Sequence, residues 1–355
     1  MSLQIKNERT FARLPHPMSD ARDQDKSIKV LIPYDGSESA EIALDDLRRA
    51  GLPQALDVNI AVTNVWLPLS PYEITRAVGA RRMRVLNAGA SSFVPALREH
   101  EEQRVLALDA QLRISSIFPS GTVRAEAIED TGTVANEILR KAKQWGAELI
   151  IVGSNNSPSP HITDYAGPAL KVAREAHCSV RIARASDQKD DSPVRMIIGA
   201  DPPAAAARMI EAVANRVWPT GSETQLVAMR KDGPRDPGKD AKATVMLDHA
   251  ANKLRAKGLR VSIAFRYGKF QDVLLHEARA FSADCIFIDS RGLGHELDGG
   301  YPRRGLSRAA EALALGAHCS VEVVRAENFG DPYWKPAVRL AVDSSVGGEV
   351  ETKPQ

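Results

Sequence analysis

The sequence predicts an α/β protein built from two open parallel sheets, each covered by helices on both faces. Three observations predict it. The pentapeptide Ala-His-Cys-Ser-Val occurs twice, at 176–180 and 317–321, so the chain is a tandem repeat and both copies should share one fold. Short runs of Val, Ile and Leu alternate with segments of helical periodicity, the pattern of parallel strands joined by crossover helices. The matching blocks also keep their order: 29–35 corresponds to 195–201, and 147–153 to 283–289. Asp35 and Asp201 lie 166 residues apart but Cys178 and Cys319 only 141. The first copy therefore carries extra residues, which we place between Trp66 and Ser120.

In chain order, residues 1–27 are polar and read as a flexible segment. The first domain, 28–185, opens with a strand at 30–34 and a helix from Glu38 capped by Ser37. Further strands are expected at 58–65, 122–128, 149–152 and 179–183. Thr133 to Trp145 reads as a helix because Val134, Ile138 and Ala142 recur at helical spacing. A charged linker, 186–193, leads into the second domain, 194–326. Its strands are expected at 195–200, 225–229, 260–265, 285–288 and 320–324. The tail, 327–355, contains a strand-like run at 338–342 that resembles the opening strand of a copy.

Composition narrows the function. The 355-residue chain is 43% hydrophobic and 26% charged, enough for two cores without metals or disulfides. A formal charge of +2 argues against an extended nucleic-acid surface, and the Arg81, Arg82 and Arg84 group reads as a solvated segment. No run approaches the roughly 18 apolar residues of a membrane helix, and no signal core opens the chain. A cytoplasmic protein is expected. Cys178 and Cys319 read as small buried hydrophobes. If the last strands of the two copies pair antiparallel, their starts lie about 20 Å apart for six residues, too far for a disulfide. His177 and His318 have no partners at metal-ligand spacing. Motifs for hydrolases, zinc proteases and P-loop enzymes are absent, so no catalytic residue is expected.

The run Val30-Leu-Ile-Pro-Tyr-Asp-Gly-Ser-Glu-Ser-Ala40, the Ala-Glu-Leu-Ile-Ile-Val-Gly block and the helix entering His-Cys-Ser-Val resemble the universal stress protein family. The second copy is similar, so the resemblance covers nearly all of 27–325. It implies five parallel strands per domain in the order 3-2-1-4-5, with the two domains paired as a pseudo-twofold dimer inside one chain. It also implies a nucleotide site at the carboxyl ends of the strands, where open α/β sheets place ligands. ATP-binding members use an aspartate after the first strand and a loop G-x2-G-x9-G-[ST] after the fourth. Glycines there permit positive φ and close approach, and the next helix offers N–H groups to phosphate.

Carried onto the first copy, the implied site comprises Pro33, Tyr34, Asp35, Val65, Val152, Gly153, Asn156, Ala166, Gly167 and Pro168. Loop spacing is kept, but of the loop glycines only Gly153 stands in place. Asn156 tolerates positive φ. Gly167 replaces the family's hydroxyl residue, and Pro168 removes an N–H donor. Each loss weakens binding by about 1.5 to 3 kcal/mol if the group met a charged oxygen. The second copy departs further. Asp201 is kept, yet Asp289 replaces the first loop glycine, and Gly292 is followed by 14 residues rather than 9 before Ser307 and Arg308. A carboxylate about 4 Å from a phosphate repels it by about 4 kcal/mol at an effective dielectric near 20. Arg291, Arg303, Arg304 and Arg308 there read as a solvated basic loop.

Three functions are compatible with these residues. One is a stress-response protein that binds an adenine nucleotide, ATP with Mg2+, weakly in the first domain beside a degenerate second domain. Another is a scaffold or regulator that binds no nucleotide and acts through protein partners. The third is a slow ATPase, although no metal clamp or general base is visible. Intrachain pairing is expected, and a homodimer is compatible with it.

Overall fold

A computed structural model describes residues 28–54, 56–63, 94–128, 133–154, 167–188, 191–200, 206–230, 237–290 and 306–325. The first half runs β1 (Ile28–Tyr34), α1 (Glu38–Asp46), β2 (Leu56–Thr63), α2 (Val94–Ile117), β3 (Thr122–Ile128), α3 (Val134–Trp145), β4 (Leu149–Gly153), α4 (Pro168–Glu175) and β5 (Ser179–Ala183). The second half repeats it as β6 (Arg195–Gly199), α5 (Ala206–Ala214), β7 (Glu223–Met229), α6 (Pro237–Arg255), β8 (Arg260–Arg266), α7 (Phe270–Ala280), β9 (Cys285–Asp289), α8 (Arg308–Gly316) and β10 (Ser320–Val324). The expected tail strand at 338–342 and the segment 1–27 lie outside the described residues.

The ten strands form one sheet in the order β3-β2-β1-β4-β5-β10-β9-β6-β7-β8. Each half therefore has the expected 3-2-1-4-5 order. All pairings within a half are parallel, whereas β5 and β10 pair antiparallel. Crossover helices must lie on the faces of parallel strands, which buries the strands on both sides. On one face of the first half, Val30, Ile32 and Tyr34 pack with Leu44 of α1 and Ile114 of α2. On the other, Leu31 and Ile150 pack with Ile138 of α3 and Leu170 of α4. The second half repeats these two cores. Alternation along β1 thus sends Tyr34 and Leu31 to opposite faces.

Three strands begin two residues earlier than expected, β1 at Ile28 among them. The ladder begins two residues earlier on β2, where Leu56 and Asp57 pair with Ile28 and Lys29, and on β7, where Glu223 and Thr224 pair with Arg195 and Met196. Polar Asp57 and Glu223 hide these strand starts from a reading based on apolar runs. Part of the first copy's extra length is helix, since α2 has 24 residues against 19 in α6.

The seam between the halves is made by β5 and β10, with Arg181 opposite Glu322. The Ser179 hydroxyl accepts from the Arg325 amide at 3.1 Å, and the Ser320 hydroxyl accepts from the Arg184 amide at 3.1 Å. Each arginine then crosses the seam. The Arg325 guanidinium donates to the Ala173 carbonyl and that of Arg184 to the Ala314 carbonyl, both near helix C-termini, at 2.5 and 2.6 Å. These reciprocal contacts are the signature of a twofold relation between halves.

Gly146 ends α3 at φ 72° in open space, while its counterpart Ser282 holds φ 50°. A non-glycine residue in this region is strained. Ser282→Gly should raise unfolding free energy by about 0.5–1 kcal/mol, and Gly146→Ala should lower it by about 1 kcal/mol, measured by urea denaturation.

Candidate functional site

In each half the strand order reverses between the first and fourth strands, so the cleft at their carboxyl ends is the place for a ligand. Because β5 and β10 are antiparallel, the two clefts open at opposite edges of the sheet. The first is formed at β1 and β4. Asp35 follows β1, is exposed, and its carboxylate accepts from the Ser37 amide at 3.0 Å. Gly36 turns at φ 73°, and Ser37 caps α1 by accepting from the Ala40 amide at 3.3 Å.

Gly153, the last residue of β4, lies directly under the start of α1. A Cβ there would fall 1.6 Å from the Ser39 carbonyl oxygen. That distance admits no side chain, so glycine at this position sets how closely the α1 N-terminus approaches β4. Val152 beside it is buried in the core facing α3 and α4. Gly167 is the N-cap of α4 with no side-chain hydrogen bond, and Pro168 is the first helical residue. A Cβ on Gly167 would meet nothing within 4 Å, so the missing hydroxyl is not enforced by packing.

Tyr34 is placed differently from a ligand-facing residue. Its ring is buried in the core between α1 and α2, and its hydroxyl donates to Glu41 on α1. Arg113 on α2 donates to the same carboxylate at 2.5 Å. Burial, together with the bond to Glu41, pushes the Tyr34 phenol above its ordinary range. Burial opposes the charge on Glu41, but the Tyr34 and Arg113 bonds prevail and hold its carboxyl below the usual range. The triad clamps two helices onto β1, a role with no local signature because Arg113 is 72 residues from Glu41. Pro33 projects to the opposite face. Val65, Asn156 and Ala166 lie outside the described residues.

In the second cleft Asp289 stands at the position of Gly153. Its carboxylate forms an ion pair with Arg208 on α5, so the charge expected to repel a phosphate is instead partly compensated within the half. Ser307 caps α8 by accepting from the Ala310 amide at 3.1 Å, and exposed Arg308 follows. Helix α8 starts one residue earlier than α4 relative to the shared cysteine. At Gly199, a Cβ would lie 2.7 Å from the Phe270 ring. Phe270 and Gly199 replace Val134 and Pro33, an exchange of volume across the helix–sheet contact. Asp201, Gly292, Arg291, Arg303 and Arg304 lie outside the described residues, as do Arg81, Arg82 and Arg84.

The universal stress protein family model matches residues 28–184. Residues 28–184 belong to the universal stress protein family. Structural likeness extends over both halves: a universal stress protein from Archaeoglobus fulgidus DSM 4304 shares 17% identity, with 84% of this chain and 96% of that chain covered, at a TM-score of 0.52. At that identity the likeness speaks to the fold. A putative universal stress protein from Pseudomonas aeruginosa UCBPP-PA14 shares 13% identity over 84% of this chain and 93% of that one, at a TM-score of 0.48. Comparison with curated proteins gives no match.

The thiols of the repeated pentapeptide are buried in both halves. Burial pushes the Cys178 and Cys319 thiols up to about 12 and that of Cys285 higher still. Burial also holds His177 and His318 below the ordinary imidazole range. No group of three metal-ligating side chains occurs among the described residues, and no helix there is long and apolar enough to cross a membrane.

Four outcomes follow from this geometry. Gly153→Ala should cost about 2 kcal/mol or more by displacing α1, read by urea denaturation, whereas Gly167→Ser should leave stability unchanged or slightly raised. None of the three cysteines should react with a thiol reagent at pH 8 until the protein unfolds. The Glu41 contribution to stability is present above the unfolded-state carboxylate range and lost as pH falls through its lower folded value. Glu41→Gln should therefore flatten the acid limb of the stability–pH profile.

Proposed function

We propose that the chain is a stress-response protein whose first half binds an adenine nucleotide, ATP with Mg2+, and whose second half does not. The proposal extends the ATP-binding mode of family members to the cleft at β1 and β4. One observation supports it above the others: Gly153 lets the α1 N-terminus approach β4 to the limit of contact, while an Asp289–Arg208 ion pair occupies the equivalent place in the second half. Backbone N–H groups at a closely held helix start suit an anionic ligand, and an ion pair competes with one.

In this reading Asp35 contacts the nucleoside from the exposed turn after β1. Gly153 and the α4 N-terminus face the phosphates. Val65, Asn156 and Ala166 belong to the same proposal as lining positions. Tyr34 contributes by fixing α1 through Glu41, not by stacking on the ligand. Gly167 and Pro168 remove a hydroxyl and an N–H donor from the phosphate end, so the affinity is weak, and binding without turnover is proposed. The second half, with Asp201, Asp289, Gly292, Ser307 and Arg308, serves as a structural partner in a cytoplasmic protein. The missing donors at Gly167 and Pro168 equally favour the second reading, a regulator with no nucleotide that acts through protein partners.

Titration calorimetry separates the readings. With Mg-ATP, the proposal expects about one nucleotide per chain. Asp35→Ala should weaken binding at least about tenfold, on the scale of one lost hydrogen bond to a polar partner. Asp289→Gly should leave the first site unchanged. Absence of heat with the wild type would favour the nucleotide-free regulator, and two sites per chain would contradict the assigned asymmetry.

A further inference from the structure

The backbone of the seam is twofold symmetric, but its charges are not. Four side chains form an alternating buried ladder across it. Asp46 of α1 binds the Arg181 guanidinium at 3.0 Å through Nη2 and also through Nε. Arg181 Nη1 reaches Glu322 at 3.4 Å. Glu322 in turn accepts from Arg216 at 2.8 Å. Arg181 is 1% exposed and Glu322 is 0% exposed. The Ser320 hydroxyl of β10 donates to Asp46 at 2.8 Å, a second tie across the seam at that end of the ladder.

The equivalences between halves give this ladder its meaning. Arg181 and Glu322 occupy the same position in β5 and β10 and face each other in the register. Asp46 corresponds to Ala212, and Arg216 to Ala50, at the spacing that relates β1 to β6. Two first halves joined along β5 would bring Arg181 against Arg181, and two second halves along β10 would bring Glu322 against Glu322. Each charge would keep its own-half partner, Asp46 or Arg216, but two like charges would then face each other across the seam with no opposite charge between them, which is unfavourable in a buried place. Only unlike halves complete the alternation.

Shape repeats the message. Trp218 lies against Gly51, where a Cβ would come within 2.7 Å of the indole, and the Val217 amide donates to the Gly51 carbonyl at 2.9 Å. The counterpart of Gly51 is Val217. A pair of second halves would press the indole onto valine where it needs glycine. The Ser179–Arg325 and Ser320–Arg184 contacts, by contrast, recur unchanged in any pairing and discriminate nothing.

We infer that the seam is a recognition code by which each half accepts the other and rejects a copy of itself. Its partner is the unlike half, held by complementary buried charge, and discrimination comes from like-charge contacts in the wrong pairings. The tether between the halves raises their effective concentration but is not what selects the partner.

The test starts from the full chain with a protease-recognition sequence inserted between Asp187 and Gln188. The folded protein is cut, the pieces are dissociated in urea and reassociated by dilution, and pairs are counted by native mass spectrometry. Unlike 1:1 pairs should outnumber each like pair at least about tenfold. In the same chain, Glu322→Arg should weaken the unlike pair at least about a hundredfold, as expected for an uncompensated buried charge, while Glu322→Gln should retain it. Like pairs as abundant as unlike ones, pieces that part on cutting, or unchanged pairing with Glu322→Arg would overturn the inference.

Discussion

The structure depends on one buried contact, the Arg181 guanidinium held between Asp46 of its own half and Glu322 of the other. Eight of the nine strand pairings are parallel and lie within one half or the other. The junction of β5 with β10 is different, because it is the antiparallel pairing that turns two five-stranded sheets into one. Placing charge there is costly, since desolvation of an ion pair offsets much of its attraction. What the charges provide is choice of partner and register, a role attested for buried polar groups elsewhere. Apolar residues at 181 and 322 would make the same edge adhesive to any copy.

Asymmetry is therefore the theme of both the seam and the clefts. The same position after the fourth strand is a glycine under a helix start in one half and an ion-paired aspartate in the other. Antiparallel pairing points the clefts in opposite directions, so a ligand in the first has no direct contact with the second. The second half retains the architecture and supplies Glu322, Arg216 and Trp218 to the seam.

Much of this was legible in the sequence, for identifiable reasons. Strands buried on both faces read as continuous apolar runs, so Leu-Ile-Ile-Val at β4 and Val-Arg-Ile-Ala at β5 announced themselves, and Gly and Ser punctuated the helices. Gly153 stood out as a loop residue, yet its packing against Ser39 depends on a contact 114 positions away. Long-range pairings have no local signature. Nothing in the local run sets Arg181 apart within its apolar strand, and its burial opposite Glu322 emerges only with the strand register. Tyr34 read as a ligand residue because it precedes Asp35, whereas strand alternation commits it to the opposite face from Pro33. The pentapeptide kept its value as a ruler between halves: its serines, Ser179 and Ser320, accept the reciprocal seam bonds.

If the buried ladder makes the two halves one cooperative body, the full chain has to unfold as a unit. Differential scanning calorimetry measures this directly, through the ratio of calorimetric to van't Hoff enthalpy. The account predicts a single transition with a ratio near one. Two resolved transitions, each with its own midpoint and unaffected by the other, would contradict it.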